Sequence, residues 1–232
     1  MSRHAGSASL VLNDAADIRR GVIALRRRCA VIRAIHDQTG DPPVRRQKPG
    51  FEGLARIIVA QQVSAASAAA IWSRTERVLN TVTPARLLKA DGETLRACGL
   101  SRPKMRTLRA LAEAVATRTL DLKHLDDAPE DEIHDALTRI HGIGPWTADV
   151  YLMFSLGRAD AWASGDLALQ LALARALRLE EKPSAPQTLA LSERWRPWSA
   201  VAARLLWSFH ATPARQPSPA RPAAKKARVR AT

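Results

Sequence analysis

Apolar residues recur at three- and four-residue intervals along most of the chain, the period of helices buried on one face. From Asn13 or Asp14 to about Gln38, Ile18, Val22, Leu25, Cys29 and Ile32 share one stripe. Arg19, Arg20, Arg26, Arg27 and Arg28 lie mostly off it. Phe51 to Ala60 predicts a second helix with Leu54, Ile57 and Ile58 inward, and a third runs from about Ser64, a suitable cap, to Asn80. Thr83-Pro84 has the cap-then-proline signature of a short helix, and Asp91 can cap another that Gly99 closes. Ser101 to about Thr119 is a long amphipathic helix with Met105, Leu108, Leu111, Ala112 and Val115 inward, and residues 121–128 read as a linker. Helices are also expected from Pro186 to Trp195 and from Ser199 to about Ala211. Strand-like alternation is confined to short ambiguous runs, so the pattern predicts an all-α protein.

The most informative stretch is residues 129–178, read as helix, glycine turn, helix, short connection and a third helix. Pro129 suits a helix start, and Glu130, Asp131 and Glu132 complement the dipole of the first turn. Ile133, Leu137 and Ile140 form a buried face. Gly142-Ile143-Gly144 permits backbone conformations closed to residues with a side chain, and Pro145 and Thr147 suit the start of the next helix. Such a turn presents backbone N–H groups at a helix N-terminus, where a phosphate binds. The whole hairpin spans 130–156.

Composition narrows the partner. The formal charge of +14 points to a polyanion, nucleic acid before a membrane surface. Cys29 and Cys98 are too few for a disulfide framework, a zinc ligand set or an iron–sulfur cluster. No signal peptide and no apolar run of about 18 residues is present, so a cytoplasmic protein without a membrane span is expected. Residues 1–12 read as a flexible arm. Residues 213–232, with six basic residues and no acid, read as a disordered basic tail that adds salt-sensitive affinity for phosphates.

The ordered run Leu137-x-x-Ile140-x-Gly142-Ile143-Gly144-x-Trp146-Thr147-Ala148, followed about twenty residues later by Gly165-Asp166-Leu167, resembles the helix-hairpin-helix (HhH-GPD) DNA glycosylase superfamily. Within it the likeness is to the 3-methyladenine DNA glycosylase II (AlkA) family, over about residues 14–211. The resemblance implies two helical subdomains, within 13–212, with a DNA-binding cleft between them. It implies a monomer acting on double-stranded DNA with damaged bases. In the family the Asp at the place of Asp166 faces the anomeric carbon of a flipped nucleotide, where a fixed anion stabilises oxocarbenium-like charge. Trp146 and Trp207 match aromatic pocket positions, and indole faces attract the cationic ring of an alkylated base. Gly142, Ile143, Gly144, Thr147 and Lys104 are expected on DNA. Gln61-Gln62-Val63-Ser64 looks like the family's loop that enters the minor groove, with Gln62 or Val63 filling the gap left by the flipped base. Backbone carbonyls of Thr138, Ile140 and Ile143 would hold a Na+ or K+; no other cofactor is implied.

Relatives that also cut the strand carry a lysine where this chain has Trp146; that lysine forms a Schiff base with the sugar. The resemblance therefore implies a monofunctional glycosylase in base excision repair, without AP lyase activity. It would release alkylated purines, 3-methyladenine foremost and 7-methylpurines with it. Three rival readings stand beside this: a glycosylase for deaminated or oxidised bases, a noncatalytic binder of DNA structure built on the same hairpin, and a basic scaffold that recruits repair partners through residues 213–232. Ala163-Ser164 before Gly165-Asp166, and Val150, depart from common family patterns and bear on the base spectrum.

Overall fold

The computed structural model describes residues 10–212. Thirteen α-helices follow one another in this span. They are α1 (Ala15–Arg28), α2 (Ala30–Thr39), α3 (Phe51–Ala60), α4 (Ala65–Leu79), α5 (Pro84–Lys89), α6 (Gly92–Ala97) and α7 (Arg102–Ala116). After these come α8 (Leu122–Asp127), α9 (Glu130–Thr138), α10 (Pro145–Val150), α11 (Leu167–Leu177), α12 (Ala185–Ser192) and α13 (Ser199–Ala211). A π-helical turn, Tyr151–Ser155, continues α10. Among the described residues no helix is long and apolar enough to cross a membrane.

The chain packs as two helical groups. In one, α7 lies against α3, α5 and α6, α4 against α3, and the α9–α10 hairpin against α3. In the other, α13 lies against α1, α2 and α11. Leu54, Ile58, Leu108 and Leu111 are buried in the first group, and Leu25, Ile32, Leu173 and Leu205 in the second. The second group is built from both ends of the chain, so the first is an excursion between α2 and α11.

Local sequence explains most boundaries. Asp14, Ser64, Thr83, Asp91 and Asp121 each accept an amide of the first turn they precede, which satisfies groups otherwise orphaned at a helix N-terminus. Pro129 stands just before α9 in extended conformation, not inside it.

Three expectations need correction. The single helix expected over residues 13–38 breaks at Cys29, which is extended at φ −134° and ψ 109°. The carbonyl freed at the break is taken by the Arg33 guanidinium, which donates to Arg26 O at 2.9 Å. Periodicity hid the break because the apolar stripe continues in phase across it. Residues 121–128 are not a linker: α8 forms there, capped by Asp121, with Leu122 and Leu125 buried. Residues 10–12 are not loose either. Leu12 is fully buried, its amide donates to Gly157 O at 2.7 Å, and the Leu10 carbonyl accepts from Ala159 N at 2.8 Å. The rest of the expected arm, residues 1–9, and the basic tail, 213–232, lie outside the described residues.

Candidate active site

Asp166 is the N-cap of α11, and Oδ1 accepts the Leu169 amide at 2.8 Å. Two indoles complete its shell. Trp207 Nε1, from α13, donates to Oδ1 at 2.9 Å, and Trp146 Nε1, from α10, donates to Oδ2 at 2.9 Å. Three N–H donors from three helices thus converge on one carboxylate. These bonds use both carboxylate oxygens as acceptors and hold the group in one orientation. A plain helix cap needs only the first of these bonds.

Asp166, Trp146 and Trp207 line a cavity of about 460 Å³ between the two helical groups. Val150, Phe154, Pro43, Arg45, Arg204, Ser208 and Ala211 complete its wall. Phe154 lies 5.6 Å from Trp207, centroid to centroid, with the rings tilted by 32°. Phe154 belongs to the π turn, where Leu156 N donates to Tyr151 O at 3.0 Å. An α-helix drifts by about 40° every four residues. The wider π turn offsets that drift, so Trp146, Val150 and Phe154 all reach one cavity.

Arg204 is buried beneath the cavity. Its guanidinium donates to Ala200 O at 2.9 Å and Met153 O at 2.8 Å and lies 4.6 Å over the Phe154 ring. Desolvation pushes its pKa down to about 10, with the charges of Arg46 and Arg45 adding to the effect. Phe154, Arg204 and Arg45 were not among the expected site residues. The i, i+4, i+8 spacing of Trp146, Val150 and Phe154 was a usable signal for the first. The other two have no local signal, because their place depends on how the 40–50 segment and α13 meet.

The expected DNA-facing residues divide. Gly142 sits at φ +82°, and a Cβ there would run into the Thr107 hydroxyl of α7. Gly144 has φ −96°, and a Cβ on it would meet nothing. Only the first glycine is demanded by the chain itself; the second leaves open space beside the hairpin. Ile143 is a buried anchor of the turn. Gln62, at φ +55°, and Val63 are both exposed at the tip of the α3–α4 loop. Ser64 is spent as the cap of α4, accepting Ser67 N at 3.1 Å. Thr138 ends α9, and the Ile140 carbonyl accepts the Ile143 amide at 3.0 Å.

Two of these residues point inward. Lys104 is buried, not on a DNA-facing surface: its Nζ donates to Val59 O at 2.7 Å, and desolvation lowers its pKa. The α7 N-terminus abuts the end of α3, so the ammonium caps a carbonyl of that helix's last turn. Thr147 is buried as well, and its hydroxyl accepts Gln61 Nε2 at 2.9 Å. Gln61 also reaches Gly142 O at 3.5 Å. These side chains join the α3–α4 loop to the hairpin and are not free for a ligand.

Known proteins share this fold. Residues 55–197 match the HhH-GPD superfamily of base excision DNA repair proteins. The chain is 33% identical to DNA-3-methyladenine glycosylase 1 of Schizosaccharomyces pombe over 165 residues, 69% of this chain and 72% of that protein. Its fold superposes with a TM-score of 0.75 on the S. pombe 3-methyladenine DNA glycosylase (Mag1) in complex with abasic DNA, at 30% identity, covering 81% of this chain and 95% of that one. It superposes with a TM-score of 0.71 on a DNA-3-methyladenine glycosidase from Bacillus halodurans, at 28% identity over 88% of this chain and 92% of that one. The two-group helical fold, the glycine hairpin and the matched span together make this chain a member of the HhH-GPD superfamily of base excision DNA repair proteins.

Proposed function

We propose that this protein is a monofunctional DNA glycosylase that hydrolyses the N-glycosidic bond of alkylated purines, 3-methyladenine and 7-methylpurines, flipped out of duplex DNA. The observation that carries the reading is Asp166, bonded by Trp146 and Trp207 at the wall of a cavity of base size. The names of the S. pombe and B. halodurans relatives point the same way.

The chemistry follows from that arrangement. As the C1′–N bond breaks, its electron pair leaves with the base and positive charge gathers on the sugar. The Asp166 carboxylate, already oriented by three N–H donors, stabilises that charge without reorganising. Water then bonds to C1′ and gives up a proton, leaving an abasic site. Because three of about four acceptor positions on the carboxylate are filled, its main role is electrostatic, with proton transfer second. An alkylated purine is already cationic and departs without a protonating acid. Trp146 stands where a lysine would attack the sugar, so no Schiff base forms.

DNA lies across the hairpin as a duplex bound by one copy of the protein. The Gly142–Gly144 backbone takes a phosphate, and the exposed Gln62–Val63 tip enters the minor groove. The backbone carbonyls of Thr138, Ile140 and Ile143 would be the ligands of a Na+ or K+, a hard cation that takes oxygen donors, and it would supply positive charge for a DNA phosphate. The deciding experiment is base release from methylated genomic DNA, with strand breaks scored before and after alkali. Free 3-methyladenine and 7-methylpurines with breaks only after alkali are expected. Breaks without alkali overturn the hydrolytic mechanism, and no free base overturns the catalytic reading.

A further inference from the structure

We propose that Arg45 is a specificity-determining residue: its guanidinium, at the wall of the base cavity, selects purines with a carbonyl oxygen at C6 over purines with an amino group there. The favoured class is guanine and hypoxanthine derivatives. The inference rests on the reading of this cavity as the base pocket.

Arg45 lies on a strap, residues 43–47, that is fixed on both sides of it. Arg204 Nε donates to Val44 O at 3.4 Å, and Gln47 N donates to Phe154 O at 2.9 Å. The Arg46 guanidinium packs against Gly157. Between these anchors Arg45 adopts φ +49°, a left-handed conformation that a residue with a side chain enters only when its surroundings impose it. The side chain is exposed and lines the cavity beside Trp146, Asp166 and Trp207.

The other guanidinium in the wall is committed. Arg204 is tied to the carbonyls of Ala200 and Met153 and stacked on Phe154. Arg45 has no hydrogen-bond or ion-pair partner among the described residues. It is therefore the lining group with unspent donors and a fixed charge. Apart from Asp166 and Ser208, the rest of the wall is aromatic, aliphatic or already bonded.

A guanidinium offers only donors. The O6 atom of guanine or hypoxanthine accepts from it, and a methyl group at N7 leaves O6 untouched. The N6 amino group of adenine is itself a donor and meets the guanidinium unfavourably. Coulomb repulsion does not separate these cases. The 7-methylguanine and 3-methyladenine nucleotides are both cationic, so that cost is common to them and cancels in their ratio. The lability of 3-methyladenine belongs to its own bond; Arg45 acts on top of it, in favour of the 6-oxo purines. Hypoxanthine, neutral and 6-oxo, gains the same contact with no repulsion.

The test uses the full chain and duplex DNA treated with dimethyl sulfate, which carries both lesions. The initial rates of 7-methylguanine and 3-methyladenine release are measured in one digest, so the ratio is insensitive to how much enzyme is folded. R45A is expected to lower the ratio about fivefold or more. R45K, which keeps the charge but loses the planar fork, is expected to lower it as well. A contact with DNA phosphate would instead slow both releases by one factor, reversed by R45K, and that result overturns the proposal. An unchanged ratio also overturns it. Release of neither base by the wild-type chain overturns the base-pocket reading, and the proposal with it.

Discussion

The Gln61 side chain donates to the Thr147 hydroxyl at 2.9 Å, and both belong to segments expected on DNA. The bond joins the α3–α4 loop, which carries Gln62 and Val63, to the first turn of α10 behind the Gly142–Gly144 turn. Lys104 caps α3 just before the same loop. The Gln62–Val63 tip and the Gly142–Gly144 turn, the segments proposed to enter the minor groove and to bind a phosphate, are thus tied to each other through Gln61.

This coupling is open to a double-mutant cycle. Q61A and T147V are each expected to lower kcat/KM for base excision about threefold to tenfold, since an intramolecular hydrogen bond contributes about 1 kcal/mol. The double variant should lose little more than either single one. Fully additive losses in single-turnover assays would mean that the two residues act separately.

Asp166→Asn keeps a good helix cap, because asparagine serves at that position nearly as well as aspartate. Folding and DNA affinity should be retained. Excision should fall by at least about 10²-fold, the scale of losing a preorganised electrostatic partner. Near-wild-type turnover would remove Asp166 from the mechanism.

Trp207→Phe separates two roles of one residue. The ring remains beside Phe154, but the N–H donor to Asp166 Oδ1 is lost. The single-turnover rate should fall by roughly tenfold with little change in DNA binding, as expected for one hydrogen bond to a charged group. Trp207→Ala should lose base capture in addition. A phenylalanine variant as fast as wild type would mean that Asp166 does not depend on this bond.

The two hairpin glycines should behave oppositely. Gly142→Ala combines a positive φ with overlap against Thr107, and it should destabilise the fold by about 2–4 kcal/mol. Gly144→Ala meets nothing in the protein. Its stability should stay within about 0.5 kcal/mol of wild type, while DNA affinity drops. Denaturant titration and DNA titration of both variants check this pair.

Asp126 supplies a pH signature. Burial raises its carboxyl pKa, with Asp127 adding to the rise, and its Oδ1 is buried without a hydrogen-bond partner among the described residues. An acid with a raised folded-state pKa costs stability above that value and none below the unfolded-state value. Asp126→Asn should therefore raise Tm at neutral pH. The gain should fade as pH falls through the raised value toward the ordinary carboxylate range. A gain independent of pH would assign it to packing.

The helical inventory was legible because local chemistry specifies it: apolar spacing chose the buried faces, and Ser64, Thr83, Asp91 and Asp166 mark helix starts by their own side chains. The hairpin was legible for the same reason, since Gly142, Pro145 and the following helix act within a few residues. The break at Cys29 and the six-residue α8 were not, because an in-phase stripe and a short helix leave no periodic trace. What the tertiary structure alone decided is where long-range partners fall. Trp146, Asp166 and Trp207 share one carboxylate because α10, α11 and α13 meet at the cavity. Lys104 and Thr147 turned inward because the end of α3 left the Val59 carbonyl and the Gln61 side-chain amide there to satisfy, and a buried polar group without a partner is costly. Arg45 reached the cavity beside Asp166 because its neighbours on the strap were already tied down. Periodicity and caps act over a turn or two of helix; the contacts that shape this site span tens of residues and exist only once the two helical groups have packed.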